Sequence, residues 1–275
     1  MPLFRFATVG DNCIDRFLPP VAQSLVGGNA VNVAVQLARL GQSATYFGAV
    51  GDDLDGVRTK HILKENGVKT DHVRLRPGVT AYTDIEQTAV GDRIMVFEEF
   101  GVCAGYRPSE SEVAILKDVD HVHLGWMDDG GALRRRLAAD GVSVSQDISV
   151  NASPENLGVA GLTVAFASAG ARGDKAEAML WHMIRGGAIC AVVTCGADGA
   201  IASRGSERAE IGISKVQVID TTGAGDSFIA GFLASFIASM PLSACMAAGR
   251  DRAAITCTHV GGFPQAPMPL SSAAR

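Results

Sequence analysis

The sequence predicts an α/β protein: a three-layer α/β/α body around a mostly parallel central sheet, with a small second β-sheet set against it. Three observations predict this. Apolar segments alternate between strand and helix spacing through most of the chain, the pattern of a parallel sheet covered by helices on both faces. That alternation breaks between about residues 68 and 105, where short strands with period-two patterning replace it. The third is a length of 275 residues, 47% hydrophobic and 19% charged, enough to bury a sizeable core without a metal or disulfide staple.

Taken in order, residues 4–9 read as the first strand. Asn29 is placed to cap a helix in which Ala30, Val33, Ala34, Leu37 and Leu40 share one face, and Gly41 ends it. Residues 44–50 read as a strand, followed by a helix from about Asp55 to Asn66 that Gly67 stops. In the 68–105 stretch, residues 81–87 and 94–97 alternate as strands around a Gly91-Asp92 turn. A sheet this small builds no core alone, so it must pack over the main sheet or pair with another subunit. Helix–strand alternation resumes at Ser109-x-x-Glu112, a capping box, with strands near 121–124, 142–147, 163–167 and 189–194. The expectation is one domain over residues 1–275, its small sheet built mainly from about 12–28 and 68–105.

Composition narrows the function classes. A net charge of −5 and the absence of a basic stripe argue against a nucleic-acid partner, and Arg134-Arg135-Arg136 reads as the solvated face of a helix. Six cysteines without metal-ligand or Cys-x-x-Cys spacing fit reduced thiols in a cytoplasmic protein. The most apolar run, residues 228–240, reads as a core helix and not as a membrane span.

The most chemically suggestive stretch is Asp220-Thr221-Thr222-Gly223-Ala224-Gly225-Asp226-Ser227-Phe228. Gly223 and Gly225 allow positive φ and close approach of a ligand, and the N–H groups of a turn at a helix start converge on an anion. Asp226 would stand beside that hole as an ionised carboxylate, its pKa well below 7, able to take a proton from an attacking hydroxyl. Taken alone, the string is equally a helix entry with an acidic cap. No Gly-Lys dipeptide and no His-Arg-Asp occur, which excludes a Walker loop and a protein-kinase catalytic loop and leaves phosphate binding to backbone N–H groups. Asp11 and Asp15 flank the end of the first strand, where ligands of open α/β sheets lie, although Asp11 equally suits an Asx turn. Gly27-Gly28 before a helix reads either as a plain glycine loop or as a close approach to ligand with Asn32 one turn inside. Thr194-Cys195-Gly196-Ala197-Asp198-Gly199 after a buried strand is, by spacing, only a weak nucleotide signal.

The Asp220–Phe228 stretch closely resembles the signature of the ribokinase-like family of carbohydrate and nucleoside kinases. Gly10-Asp11-Asn12-Cys13-Ile14-Asp15, Gly27-Gly28-Asn29-Ala30-Val31-Asn32 and the 194–199 turn resemble its other elements, in the right order, from about Phe6 to Pro267. The resemblance implies an ATP- and Mg2+-dependent kinase with Asp226 as base and Gly223, Ala224 and Gly225 as the anion hole. It implies sugar contacts at Asp11, Asp15, Gly27, Gly28 and Asn32, and ATP contacts at Thr194, Gly196, Gly199 and Gly225. It also implies a monovalent cation, K+, near Asp220, Thr222, Thr256, His259 and Gly261, and a β lid that covers the sugar and forms a homodimer contact. Within the family the closer likeness is to kinases of fructose–amine adducts phosphorylated at O6; a free ketose, a sugar phosphate or a nucleoside is the alternative acceptor, and a non-catalytic sugar-binding module the alternative class. The lid charges Arg93, Glu98, Glu99 and Arg107 are candidates for the amino-acid end of such an adduct. One departure stands out: where many relatives carry Asn-x-x-Glu for magnesium, this chain reads Ser168-Ala169-Gly170-Ala171.

Overall fold

A computed structural model describes residues 2–87 and 93–270. In chain order the strands are β1 (Arg5–Val9), β2 (Cys13–Phe17), β3 (Gln23–Gly27), β4 (Ser43–Gly51), β5 (Lys69–Arg76), β6 (Tyr82–Gln87), β7 (Arg93–Glu99), β8 (His121–Leu124), β9 (Val144–Asp147), β10 (Val164–Ser168), β11 (Cys190–Thr194), β12 (Ala200–Arg204), β13 (Glu207–Ile211) and β14 (Met268–Pro269). The helices are α1 (Asn29–Arg39), α2 (Leu54–Glu65), α3 (Glu110–Leu116), α4 (Ala132–Ala139), α5 (Asp174–Arg185), α6 (Ala224–Ile237) and α7 (Leu242–Thr256).

The main sheet runs β13-β12-β11-β10-β9-β8-β1-β4-β5, parallel from β11 to β5, with β12 and β13 added antiparallel at one edge. Alternate residues of each strand face opposite layers. Phe6 packs with α1 and α6, while Ala7 and Val9 pack with α3, α4 and α5. Helices α1, α2, α6 and α7 thus cover one face and α3, α4 and α5 the other. Chain order reverses between β1 and β8, the switch point at whose carboxyl ends ligands of such sheets bind. The three-layer architecture is the one the alternation predicts, and the Ser109–Glu112 capping box forms with both of its bonds.

The small sheet, β14-β3-β2-β6-β7, departs from the expected boundaries. Residues Lys69–Arg76, expected in it, pair parallel to β4 as the edge of the main sheet, because Val73 and Val68 join the core beneath α2. Its far edge is supplied by the chain end, Met268–Pro269 against Ser24 and Gln23. Arg58 of α2 ties the sheet down, its Nη1 donating to Ser24 Oγ at 2.9 Å and its Nη2 to the Ser24 carbonyl at 2.8 Å. The Gly91-Asp92 turn and the Arg93 side chain lie outside the described residues. Among the described residues no helix is long and apolar enough to cross a membrane.

Candidate active site

Two helices begin at glycine turns and point at one spot. α6 starts from Gly223, in the left-handed region at φ 73°, where a Cβ would stand 2.3 Å from Gly262 Cα. Gly225 differs from expectation: its φ is helical, and what it contributes is open space, since nothing lies within 4 Å of where its Cβ would be. It lines a cavity of about 840 Å³ that Thr194, Gly196, Gly199, Asp147 and Asp226 also line. The four residues assigned to the nucleotide by resemblance therefore share one cavity with Asp226.

α1 starts from Gly28 at φ 100°, where a Cβ would collide with Asn12 Cα at 2.7 Å. Asn29 does not cap this helix. It is the first helical residue, and the cap comes from Asp11, whose carboxylate accepts from Asn29 N (2.7 Å), Ala30 N (3.3 Å) and Trp126 N (2.9 Å). Asp11 thereby fastens the end of β1 to α1 and to the loop after β8. The Asn29 side chain, freed from capping, donates through Nδ2 to Asp226 Oδ1 at 2.7 Å and to Asp147 Oδ2 at 3.0 Å. Asn32, one turn on, donates to Asp226 Oδ2 at 2.7 Å. Asp15 sits over Gly27, whose Cβ would lie 2.7 Å from its Oδ2.

Asp147 is a residue that the sequence reading missed. It ends β9, its Oδ1 accepts from Ser149 N (2.9 Å) and Ser149 Oγ (2.6 Å), and burial raises its pKa. A carboxylate closing a fully buried strand at the ligand-binding end of the sheet was the available signal. Its presence changes Asp226. Burial first, then the charges of Asp147 and Asp11, push the Asp226 carboxyl up to about 7, against the bonds from Asn32 and Asn29 that favour its ionised form. The sequence expectation of a value well below 7 is corrected, because a helix start lowers an exposed carboxylate and this one is half-buried beside two others. Such a cluster titrates as a set.

Other assigned residues separate. Asp220 accepts from Thr222 N (2.8 Å) and Gly261 N (2.7 Å), joining the two loops given to a cation. The Thr256 hydroxyl instead turns inward to Ser227 Oγ at 2.6 Å, and His259 Nδ1 lies 3.3 Å from its neighbour's carbonyl at Val260. Of the lid charges, Arg107 is engaged by Asp128 Oδ1 at 2.6 Å and Glu99 accepts from Gly101 N at 2.9 Å, so both already serve the protein's own backbone and loops.

The chain matches the family model described as pfkB family carbohydrate kinase over residues 21–146 and 164–268. It is 38% identical to a fructoselysine 6-kinase of Shigella flexneri over 94% of this chain and 98% of that protein. It is 31% identical to a fructosamine kinase of Bacillus subtilis over 94% and 93% of the two chains. The solved structure of an Arabidopsis thaliana ribokinase complexed with ribose and ATP superposes with a TM-score of 0.85 over 96% of both chains at 20% identity, a likeness of fold.

Proposed function

The chain belongs to the pfkB family of carbohydrate kinases, and from that premise we propose that it phosphorylates a fructosamine, fructoselysine first among them, at the O6 hydroxyl. It is an ATP-dependent sugar kinase; the acceptor and the residue roles are the proposal. One observation carries the roles. Asp226 is gripped from one side by the two asparagines of the Gly-Gly helix and opens on the other into the cavity of the 194–199 turn. A hydroxyl held near Asn32 and a phosphate held at the start of α6 would meet at that carboxylate.

In this reading the triphosphate lies in the 840 Å³ cavity with its terminal phosphate against the turn at Gly223, Ala224 and Gly225, where backbone N–H groups and the helix dipole take up negative charge. The open space over Gly225 is what admits it. Asp226 receives the hydroxyl proton as the bond to phosphorus forms; the loose transition state asks little nucleophilic push, so a carboxylate suffices. Asp15, Gly27, Gly28 and Asn32 line the sugar side, and Asp11 acts by holding α1 and the loop after β8 in place. Magnesium would arrive on the nucleotide phosphates and neutralise their charge; Ser168-Ala169-Gly170-Ala171 brings no carboxylate to it. A potassium ion would sit where Asp220 joins its two loops.

We read residues 1–275 as one domain whose small sheet is the lid. The outer strand of that lid carries Ile94, Met95, Val96 and Phe97 in sequence, each 45–69% exposed. A second copy laid on this strand would cover them and gain a strand pairing. Sedimentation of the wild type should report a dimer and Phe97→Asp a monomer; an unchanged state removes the lid from the assembly.

The substrate test is ADP release with ATP, magnesium and potassium against fructoselysine, other fructose–amino-acid adducts, fructose, ribose, fructose 6-phosphate and adenosine. Turnover confined to the adducts is expected. Turnover with free sugars or nucleosides alone keeps the kinase and discards the fructosamine acceptor, and sugar binding without ADP release would turn the reading to a binding module.

A further inference from the structure

A line of buried polar side chains runs behind Asp226, through the middle of the sheet, where apolar contacts are the rule. Asn29 Oδ1 meets His123 Nε2 at 3.1 Å, and His123 Nδ1 meets Ser145 Oγ at 2.9 Å. Ser145 Oγ meets His121 Nε2 at 2.8 Å, and His121 Nδ1 meets Ser143 Oγ at 2.8 Å, with Thr163 Oγ1 3.3 Å beyond. Both imidazoles and Ser145 are wholly shielded from solvent. Burial drives each histidine pKa down to about 3, so both rings are neutral and each carries one N–H.

The directions of these bonds follow from one end. The Asn29 amide nitrogen faces two carboxylates, which only accept from it while ionised, so its oxygen faces His123. An amide oxygen cannot donate, and therefore His123 carries its hydrogen on Nε2 and accepts at Nδ1 from the Ser145 hydroxyl. Ser145, having given its hydrogen, accepts from His121 Nε2–H, which leaves His121 Nδ1 as an acceptor; the one hydroxyl hydrogen of Ser143 is shared between His121 Nδ1 at 2.8 Å and Thr163 Oγ1 at 3.3 Å. From His121 to Asn29 the donors in the line point toward Asn29.

We propose that His123 is a positioning residue for phosphoryl transfer: its Nε2–H pins the Asn29 amide so that the NH2 group faces Asp226 and keeps that carboxylate ready to accept a proton, with His121 and Ser145 fixing the His123 tautomer. This rests on the reading of Asp226 as the base. Without the pin the amide is free to turn its oxygen to Asp226, which favours the protonated carboxyl. The charged groups facing Asp226 are Asp147 from β9 and Asp11 from the end of β1, and α1 supplies the amides of Asn29 and Asn32. With two carboxylates already disfavouring ionisation, the amide orientation weighs heavily.

The test compares wild type, His123→Phe and His123→Gln by the pH dependence of kcat/KM for the best acceptor, beside imidazole nitrogen NMR of the wild type. His123→Phe keeps a ring of similar size and loses the donor; its acid limb should move up by about one pH unit, a roughly tenfold loss on that limb, with the alkaline plateau near wild type. His123→Gln, whose amide N–H can reach Asn29, should restore the wild-type limb. The NMR spectrum should show His123 neutral with hydrogen on Nε2 from pH 6 to 8. A folded His123→Phe with an unmoved limb, or an Nδ1–H tautomer at His123, overturns the proposal. Asp226→Asn separates the two claims: if it abolishes turnover while His123→Phe leaves the limb unmoved, only the positioning role fails, and if it retains turnover, the base reading fails while the tautomer still reports the line of bonds.

Discussion

The starts of α1 and α6 are built alike and used differently. Both helices begin at a glycine with positive φ, Gly28 and Gly223, and their first turns meet where Asn29 and Asn32 bond Asp226. At α1 the anion is internal: the Asp11 carboxylate takes the N–H groups of Asn29 and Ala30. At α6 the first turn faces a cavity with open space above Gly225. A helix start favours negative charge either way. Where the chain supplies the charge, its own carboxylate fills the helix start, and where it does not, the first turn is left facing a cavity.

The comparison breaks most sharply at the two aspartates. Asp226→Asn should cut kcat by about 10²–10⁴, the range of a lost general base, with ATP binding by calorimetry near wild type; unchanged ADP release would remove Asp226 from the chemistry. A pH series comes next. The Asp226 carboxyl, at about 7 in the folded protein against 3.8 in the unfolded chain, should lose activity on acidification, roughly tenfold per unit below 7. The same shift acts oppositely on stability. The folded state holds this proton more tightly, so its contribution is fully present below about 3.8, is lost as pH rises, and is gone above about 7. Denaturation midpoints that rise from pH 4 to 7 on account of this group, read as the difference from Asp226→Asn, would contradict it.

Asp11→Ala should act on the joint: about 1–3 kcal/mol less stability by urea denaturation, the cost of uncapping a helix and orphaning three N–H groups, with any loss of turnover following the loosening of α1. If its stability is unaltered, the internal-anion account of α1 is wrong. The smallest effect sharpens the picture of α6. Gly225→Ala places a methyl in open space, so the melting temperature should hold while KM for ATP rises several-fold, whereas Gly223→Ala meets Gly262 and should lower the melting temperature. Equal behaviour of the two variants would mean that the cavity over Gly225 takes no part in nucleotide binding.

Much of the frame was legible in the residues. Period and punctuation located β1, β4, β6 to β11, α1 and α2 to within a residue or two, since each rests on local apolar spacing and a cap or glycine stop, whereas β2, β3, β5 and the antiparallel β12 and β13 were given no bounds of their own. The resemblance led to the carbohydrate-kinase family that the comparisons also report. The small sheet was less legible because a strand's partner is not written in its own pattern: Lys69–Arg76 alternates like a lid strand yet pairs with β4, and β14 comes from the chain end. His123 and the bonds of Asn29 left no linear signal, and Asp147 left only that of a carboxylate closing a buried strand, as a capping asparagine and a carboxylate-bridging one look the same until the fold shows which donor reaches which acceptor.

The sequence by itself determined that a glycine turn and an acidic residue open an apolar helix in an α/β chain, because backbone freedom, capping and hydrophobic period are properties of neighbours in the chain. Only the tertiary structure decided which of the aspartates is taken up by backbone N–H groups and which opens into the cavity, and in which direction burial moves the Asp226 carboxyl. Those depend on burial and on charges and donors brought from distant positions: the amide that grips Asp226 is 197 residues away in sequence and 2.7 Å away in space.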